Sequence, residues 1–597
     1  MRLRYLHLKN YPPISDIKVC FASGSPLARE CAIRFVVGVN GSGKSNLLRA
    51  VAEVFLALAD GRRSSFPVQL VYELGGRDSS ASRTLVLDWF GDRQSASLWI
   101  AERYTFPDDA TSEQFEQALL CFSTESPKIP VQFRTLIRKG EWPSASVTPE
   151  VIALPSAVLA YTTGDLRPWR SVWSRNQQAE ELAEGAEDMN IEERPAGWTV
   201  AQESALQAAR QLGDTVRQFS ITNVVETDRF RRPVLLDAIF LKCALLAVTL
   251  HQEFTEDEDL SSGDEVDALL TKVPSRDKKK AALQELLERG GWRHLISAAF
   301  RSRLQTSMWD QKLCETAHDW WLCASEVVAE PHPVEQRRII WFDIKGAFDS
   351  QTRLFLSPLG KELESCKTQG EALWTLLGGT KDTTSFEVFT RLLQLNQSGL
   401  FDDVLLRLRR SGNDKISSDA SDIGILRYEE LSDGEQMVLG RMALFYLLKG
   451  QQDALLLLDE PETHFNDKWK REIVDIIDEA IGQTANDVLI STHSAIVLSD
   501  VFNNEIVMVQ KTQEGSTVRT VDEPTFATDP SALMMTVFGA EDSIGKRAQE
   551  FIEGKLKQAT GTSAEIADLD SLVARMGSGF YRSELRTLLN IWRRGNA

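Results

Sequence analysis

Gly38-Val39-Asn40-Gly41-Ser42-Gly43-Lys44-Ser45 constrains this chain more than any other stretch. It fits the phosphate-loop pattern G-x-x-x-x-G-K-[ST]. An apolar run, Ala32 to Val37, leads in and reads as a buried strand. Behind it Leu47, Leu48, Val51, Val54, Phe55 and Leu58 recur at helical spacing. Strand, glycine-rich turn and helix are the context in which such a string holds phosphate. Glycines let backbone N–H groups curl around the anion, and the positive end of the helix adds to the field. Asn40, Gly41, Ser42, Gly43, Lys44, Ser45 and Asn46 are therefore the expected nucleotide cradle. Lys44 would reach the β and γ phosphates, and Ser45 would hold Mg²⁺.

The chain has 597 residues, enough for several domains. A net charge of −19 argues against a uniformly basic nucleic-acid binder but leaves room for a local basic groove. Seven cysteines without a C-x-x-C pair show neither a zinc knuckle nor a disulfide framework, which suits a reducing cytoplasm. The start, Met1 to His7, lacks the apolar core of a signal peptide, and no run is long enough for a membrane helix. Short strands are expected at Leu3–Leu8 and Asp16–Phe21, then a meander of Val68–Leu74, Thr84–Trp89 and Ser95–Ile100, then Ala157–Tyr161. The region 166–420 has acidic stretches (Glu180–Glu193, Glu253–Asp267), helical patterns (Ala201–Phe219, Leu235–Leu250, Lys278–Leu287) and frequent tryptophans, read as core. Asn413–Ser421 reads as a loop.

Past residue 425 the chemistry returns. Leu455-Leu456-Leu457-Leu458-Asp459-Glu460-Pro461 is a Walker B strand ending in two carboxylates. Asp459 would bind Mg²⁺ through water, and Glu460 would act as general base on the attacking water. Leu431-Ser432-Asp433-Gly434-Glu435-Gln436 opens a helix, so Ser432 and the Gly434 N–H stand at an anion-attracting N-terminus. His493, in Ser491-Thr492-His493-Ser494, follows the next strand, Asp487 to Ser491, where an imidazole could bond a γ-phosphate. The order of the four motifs makes coincidence negligible.

These motifs resemble the ABC-type ATPases of the SMC and RecF group, which carry LSDGEQ where transporters carry LSGGQ. The resemblance implies an α/β fold: an ABC-type P-loop core with a parallel sheet and antiparallel β-meander, a large mainly α-helical insertion and a helical C-terminal tail. It implies domains at 1–165 (Walker A lobe), 166–420 (insertion or lid), 421–510 (signature, Walker B and His-switch lobe) and 511–597 (tail, a partner-docking region). It also implies ATP and Mg²⁺ as cofactors, ATP hydrolysis, and a homodimer, or higher oligomer, in which Ser432, Asp433, Gly434, Glu435 and Gln436 of one protomer cover the other's ATP. One departure stands out: no Q-loop glutamine lies near Tyr161–Gly164, and Gln177 or Gln178 would be poor substitutes. Asp459-Glu460-Pro461-Glu462-Thr463-His464-Phe465 looks like the DEPE-x-H form of stand-alone RecF-like and bacterial-defence ATPases.

Pro524–Met534, Ile544–Ala548 and Tyr581–Arg586 are similar to the tails of Septu-type, PtuA-like and other restriction-associated ATPases. That resemblance implies a cytoplasmic ATPase that senses or binds nucleic acid and gates a separate effector, an HNH-type nuclease, in anti-phage defence. Basic clusters that could follow a phosphate backbone are Arg229 with Arg231 and Arg232, Arg407 with Arg409 and Arg410, and Arg134 with Arg138 and Lys139. The alternatives are a RecF-like repair ATPase, an ATPase–nuclease of the overcoming-lysogenisation-defect (OLD) type using Asp568 and Asp570, and a transporter ATPase subunit.

Overall fold

The structure, a computed structural model, describes residues 1–21, 29–60, 64–76, 81–90, 97–123, 132–137, 153–173, 232–255, 292–303, 309, 311–331, 337–348, 359–410, 425–512, 515–540, 542, 544–558, 561–577 and 579–595. Expectations for 180–193, 201–219, 278–287 and 413–421, for Gln177 and Gln178, and for Arg138, Lys139, Arg229 and Arg231 lie outside them.

Met1–Ala527 form one compact unit and Thr528–Ala597 a second. The first is built on a seven-stranded sheet in the order Gly515–Arg519, Ile506–Thr512, Ala32–Val37, Asp487–Thr492, Ala454–Asp459, Ala157–Thr162, Val234–Leu236. All neighbours are parallel except the edge hairpin. Ala454–Asp459, Asp487–Thr492 and Ala157–Thr162 are buried at every position, as parallel strands covered on both faces should be. Parallel strands all end at one edge, so the phosphate loop, Asp459-Glu460 and Thr492-His493 emerge side by side.

A six-stranded antiparallel sheet, Ile14–Cys20, Arg2–Tyr11, Val68–Leu74, Arg83–Asp88, Ser97–Glu102, Phe133–Ile137, contains the expected meander. The helix Lys44–Ala59 lies in the core between the two sheets. Its Leu47, Leu48, Val51 and Phe55 share one apolar cluster with Leu6, Leu70 and Leu85 on one side and Val36, Leu455 and Leu489 on the other.

The described part of 166–420 holds the helix expected at Leu235–Leu250, found as Ala238–Thr255, and further helices that the sequence reading does not predict, among them Ser385–Gln397. It also holds four strands of a five-stranded antiparallel sheet that the sequence reading does not predict: Glu326–Glu330, Arg337–Asp343, Trp292–Arg303, Asp403–Arg410 and, beyond 420, Ile425–Arg427. Its strand Asp403–Arg410 alternates in period two, with Val404, Leu406 and Leu408 buried and Leu405, Arg407 and Arg409 facing out. Ala238–Thr255 and Ser385–Gln397 pack against each other, and Ala238–Thr255 also packs on the signature helix Asp433–Leu447. A Cβ at Gly440 would lie 3.0 Å from Leu241 Cβ, so glycine sets that close approach.

Among its described residues the second unit has the helices Pro530–Thr536, Lys546–Gln558, Ser563–Arg575 and Phe580–Gly595, the last three packed around Ile552, Leu569, Val573, Leu585 and Leu589.

Candidate functional site

The turn after Ala32–Val37 uses glycine where only glycine is comfortable: φ is +78° at Gly41 and +106° at Gly43, which caps the helix N-terminus. Lys44 opens the helix and is buried. Its Nζ donates to Gly38 O at 2.9 Å. Burial lowers the Lys44 ammonium below its ordinary value, while Glu460, Asp459 and Glu462 oppose that shift. A cation held beside three carboxylates at the mouth of a glycine loop is suited to receive phosphate. Ser42 is buried, and its hydroxyl has no hydrogen-bond partner among the described residues. Asn40 and Gly41 are exposed at the loop tip, and Asn46 accepts from Arg49 Nη2 on the next turn.

Asp459 receives four hydrogen bonds. Ser45 Oγ (2.8 Å) and Ser491 Oγ (2.5 Å) donate to Oδ1, and Thr162 Oγ1 (3.1 Å) and Trp169 Nε1 (3.3 Å) donate to Oδ2. The hydroxyl of Ser45 and the carboxylate of Asp459 form the hard oxygen pair that Mg²⁺ takes, and Asp459's other donors fit a carboxylate that acts through water. The sequence reading gives Thr162, Trp169 and Ser491 no role in holding Asp459. Thr162 and Ser491 are the residues in register with Asp459 on its two flanking strands, a signal that strand order alone supplies.

Glu460 follows with φ +52°, in the left-handed region that L side chains enter at a cost of about 1–2 kcal/mol. Its N–H donates to Ser491 O (3.0 Å), and its carbonyl accepts from Thr163 Oγ1 (3.0 Å). The Glu460 carboxylate, one-third exposed, lies 3.2 Å from His493 Nδ1. Base and imidazole candidates, 33 residues apart in number, thus sit together at the edge of the loop. Glu462 is buried, and its Oε1 accepts from Thr492 Oγ1 while Oε2 has no partner among the described residues. Burial pushes its carboxyl upward, against the Thr492 hydrogen bond.

The signature residues lie apart from this cluster, at the start of helix Asp433–Leu447. Ser432 is the N-cap of a capping box with Glu435: Glu435 N donates to Ser432 Oγ (3.3 Å) and Ser432 N to Glu435 Oε2 (2.9 Å). Gln436 Nε2 donates to Leu431 O (3.0 Å). Ser432 and Asp433 are exposed, and Gly434 would bring a Cβ within 3.7 Å of His464 O.

The described basic residues have local partners. Arg232 pairs with Asp60 (3.0 Å) and Arg134 with Glu102 (3.2 Å), and Arg407 stacks on Trp341 at 3.7 Å from the ring centroid. Asp568 and Asp570 stand on helix Ser563–Arg575, paired with Lys555 and Arg593, rather than at strand ends. Among the described residues no three metal-ligating side chains cluster, and no helix is long and apolar enough to cross a membrane.

Comparison with known proteins adds the following. Residues 335–500 match the family model described as "AAA domain, putative AbiEii toxin, Type IV TA system", a span that contains the signature, Asp459, Glu460 and His493 but not the phosphate loop. No curated protein matches the chain. Among solved structures, it is similar to the Smc head domain with an extended coiled coil bound to the C-terminal domain of ScpA from Pyrococcus furiosus, at 13% identity and TM-score 0.27, covering 87% of this chain and 96% of that one. It is likewise similar to the SMC head domain from Thermotoga maritima, at 10% identity and TM-score 0.27, covering 88% of this chain and all of that one. At such scores the architecture rests on the strand order given above. Over 335–500 this chain is similar to an AAA domain, and its fold is mixed α/β with a parallel sheet and two antiparallel ones.

Proposed function

We propose that this chain binds Mg²⁺-ATP and hydrolyses it. The observation that carries the reading is the convergence of Lys44, Ser45, Asp459, Glu460 and His493 at one edge of the parallel sheet, with Ser45 2.8 Å from Asp459 and His493 3.2 Å from Glu460. The glycine-loop N–H groups and Lys44 bind the phosphates, and Ser45 and Asp459 hold the metal. Mg²⁺ supplies charge neutralisation on the phosphate oxygens. Glu460 takes the proton from the attacking water. His493 Nδ1–H steadies that carboxylate, and donation from Nε2 to phosphate as well needs the imidazolium, with both nitrogens protonated.

We further propose that two chains close around two ATP molecules. The exposed N-terminus of the signature helix supports this, because Ser432 and Asp433 are free to meet a nucleotide held by another chain. Lobes 1–165 and 421–510 would form that sandwich, 166–420 the lid, and 511–597 the docking region for a partner. A cytoplasmic anti-phage role, in which nucleic-acid sensing gates an HNH-type nuclease, is supported by the tail resemblance and by the toxin–antitoxin wording of the matched family.

The test is to purify the chain with the products of its neighbouring genes and measure ATP binding and mass with and without ATP. Lys44→Ala should lose ATP binding and the ATP-dependent dimer together; retained binding removes the phosphate-loop assignment. A stable complex with a small nuclease supports the defence role, whereas a chain that dimerises with ATP and binds DNA alone favours the RecF-like repair role.

A further inference from the structure

Two turns into the signature helix lies a buried arginine, Arg441. Its Nη1 donates to the carbonyl oxygens of Pro461 and Thr463 (2.8 Å to Thr463), and its Nε donates to the Tyr161 hydroxyl at 3.0 Å. The guanidinium carbon is 4.8 Å from the Phe465 ring centroid and 5.4 Å from that of Tyr161. Nη2 has no hydrogen-bond partner, and no carboxylate pairs with Arg441 among the described residues. A buried cation without a counter-ion is poor value for stability alone, since an apolar residue of similar volume avoids the desolvation cost.

The segment it grips explains the arrangement. Pro461–Thr463 is bounded by two non-glycine residues in the left-handed region, Glu460 (φ +52°) and His464 (φ +71°). Such conformations persist only where the surroundings over-determine them. Ser491 and Thr163 fix the Glu460 end, and Arg441 fixes the carbonyls beyond it. Tyr161 precedes Thr162, which bonds Asp459. Arg441 therefore joins the signature helix to the base-bearing turn and, through Tyr161, to the strand whose Thr162 bonds the Walker B carboxylate.

We infer that Arg441 is a positioning residue for hydrolysis: its planar fork holds the Pro461–Thr463 carbonyls and sets the turn from which Glu460 reaches the site, in register with the signature helix. Lysine carries its three donors on one nitrogen and, placed at the two carbonyls that Nη1 serves, lacks the second nitrogen with which Nε reaches the phenol.

The inference rests on the ATPase reading above, and the experiment separates the two. The parent chain and Lys44→Ala are assayed first, because absence of Lys44-dependent turnover ends the ATPase reading and this inference with it. Given turnover, Arg441→Lys should lower kcat about tenfold or more while ATP affinity stays within about threefold, since a displacement near 1 Å costs up to about a hundredfold. In a Glu460→Gln background, read by single-turnover phosphate release, Arg441→Lys should cause no further loss, because both changes act through the same carboxylate. A folded Arg441→Lys within twofold of the parent, or an equal fold-loss in both backgrounds, overturns the inference. Should Arg441→Lys not fold, Tyr161→Phe removes one acceptor of the fork. It should lower kcat about two- to fivefold in the parent background only, and an unchanged kcat or an equal loss in both backgrounds overturns the inference.

Discussion

Replacing Glu460 by glutamine changes one proton-accepting oxygen and little else. The residue is one-third exposed, its N–H remains on Ser491 O, and glutamine keeps a carbonyl oxygen for the His493 Nδ1–H now 3.2 Å away. The contact with His493 that is weakened is partly solvated on both sides and contributes less than about 1 kcal/mol, so folding stability should stay within about that margin. Nucleotide affinity should hold too, because the glycine loop, Lys44 and Ser45 are untouched. Loss of a positioned general base is expected to slow hydrolysis about 10²- to 10⁴-fold, equivalent to about 2.7–5.5 kcal/mol of activation free energy. Single-turnover phosphate release with saturating ATP, beside a direct ATP-binding titration, reads both quantities. Phosphate release within threefold of the parent, with binding intact, would refute Glu460 as the base. A parallel loss of binding would instead show that the carboxylate matters to the ground state.

Two further predictions concern stability. Asp487 is buried, and its Oδ2 accepts from Arg34 Nη1 and Leu3 N, each at 2.6 Å. Asp487→Asn leaves the buried Arg34 guanidinium without its anion and should cost about 3–5 kcal/mol, read as a fall in chemical-denaturation free energy; a loss under 1 kcal/mol would show that Arg34 finds another partner. Burial raises the Glu462 carboxyl above its usual 4.5, so the folded state binds that proton more tightly than the unfolded state. Its contribution is fully present below 4.5 and is lost as pH rises through the raised value. Glu462→Gln, which stays neutral and keeps an acceptor for Thr492, should therefore gain thermal midpoint relative to the parent as pH is raised from about 4 to about 8. A difference that does not change with pH would contradict the assignment.

The sequence by itself determined those features whose causes act within a few residues. Gly41 and Gly43 announce a tight turn between strand and helix, Leu455 to Leu458 a strand buried on both faces, and Leu431 to Gln436 the start of a helix; each is found, the turn with positive φ and the helix with a Ser432–Glu435 cap. Val68–Leu74 is also found where its apolar pattern places it. Other features depended on which strand lies beside which. Thr162, Trp169, Asp459 and Ser491 meet only because Ala157–Thr162 and Asp487–Thr492 flank Ala454–Asp459. Asp403–Arg410 carries a period-two alternation, yet its half-buried Arg407 and Arg409 read locally as a basic cluster. Only pairing with Trp292–Arg303 shows a strand with its polar face outward. Arg441 reads as an ordinary polar residue on a helix until the fold buries it against the turn that bears Glu460. Turn chemistry and side-chain period are local consequences of backbone sterics, whereas strand order and buried polar contacts arise from packing between segments hundreds of residues apart.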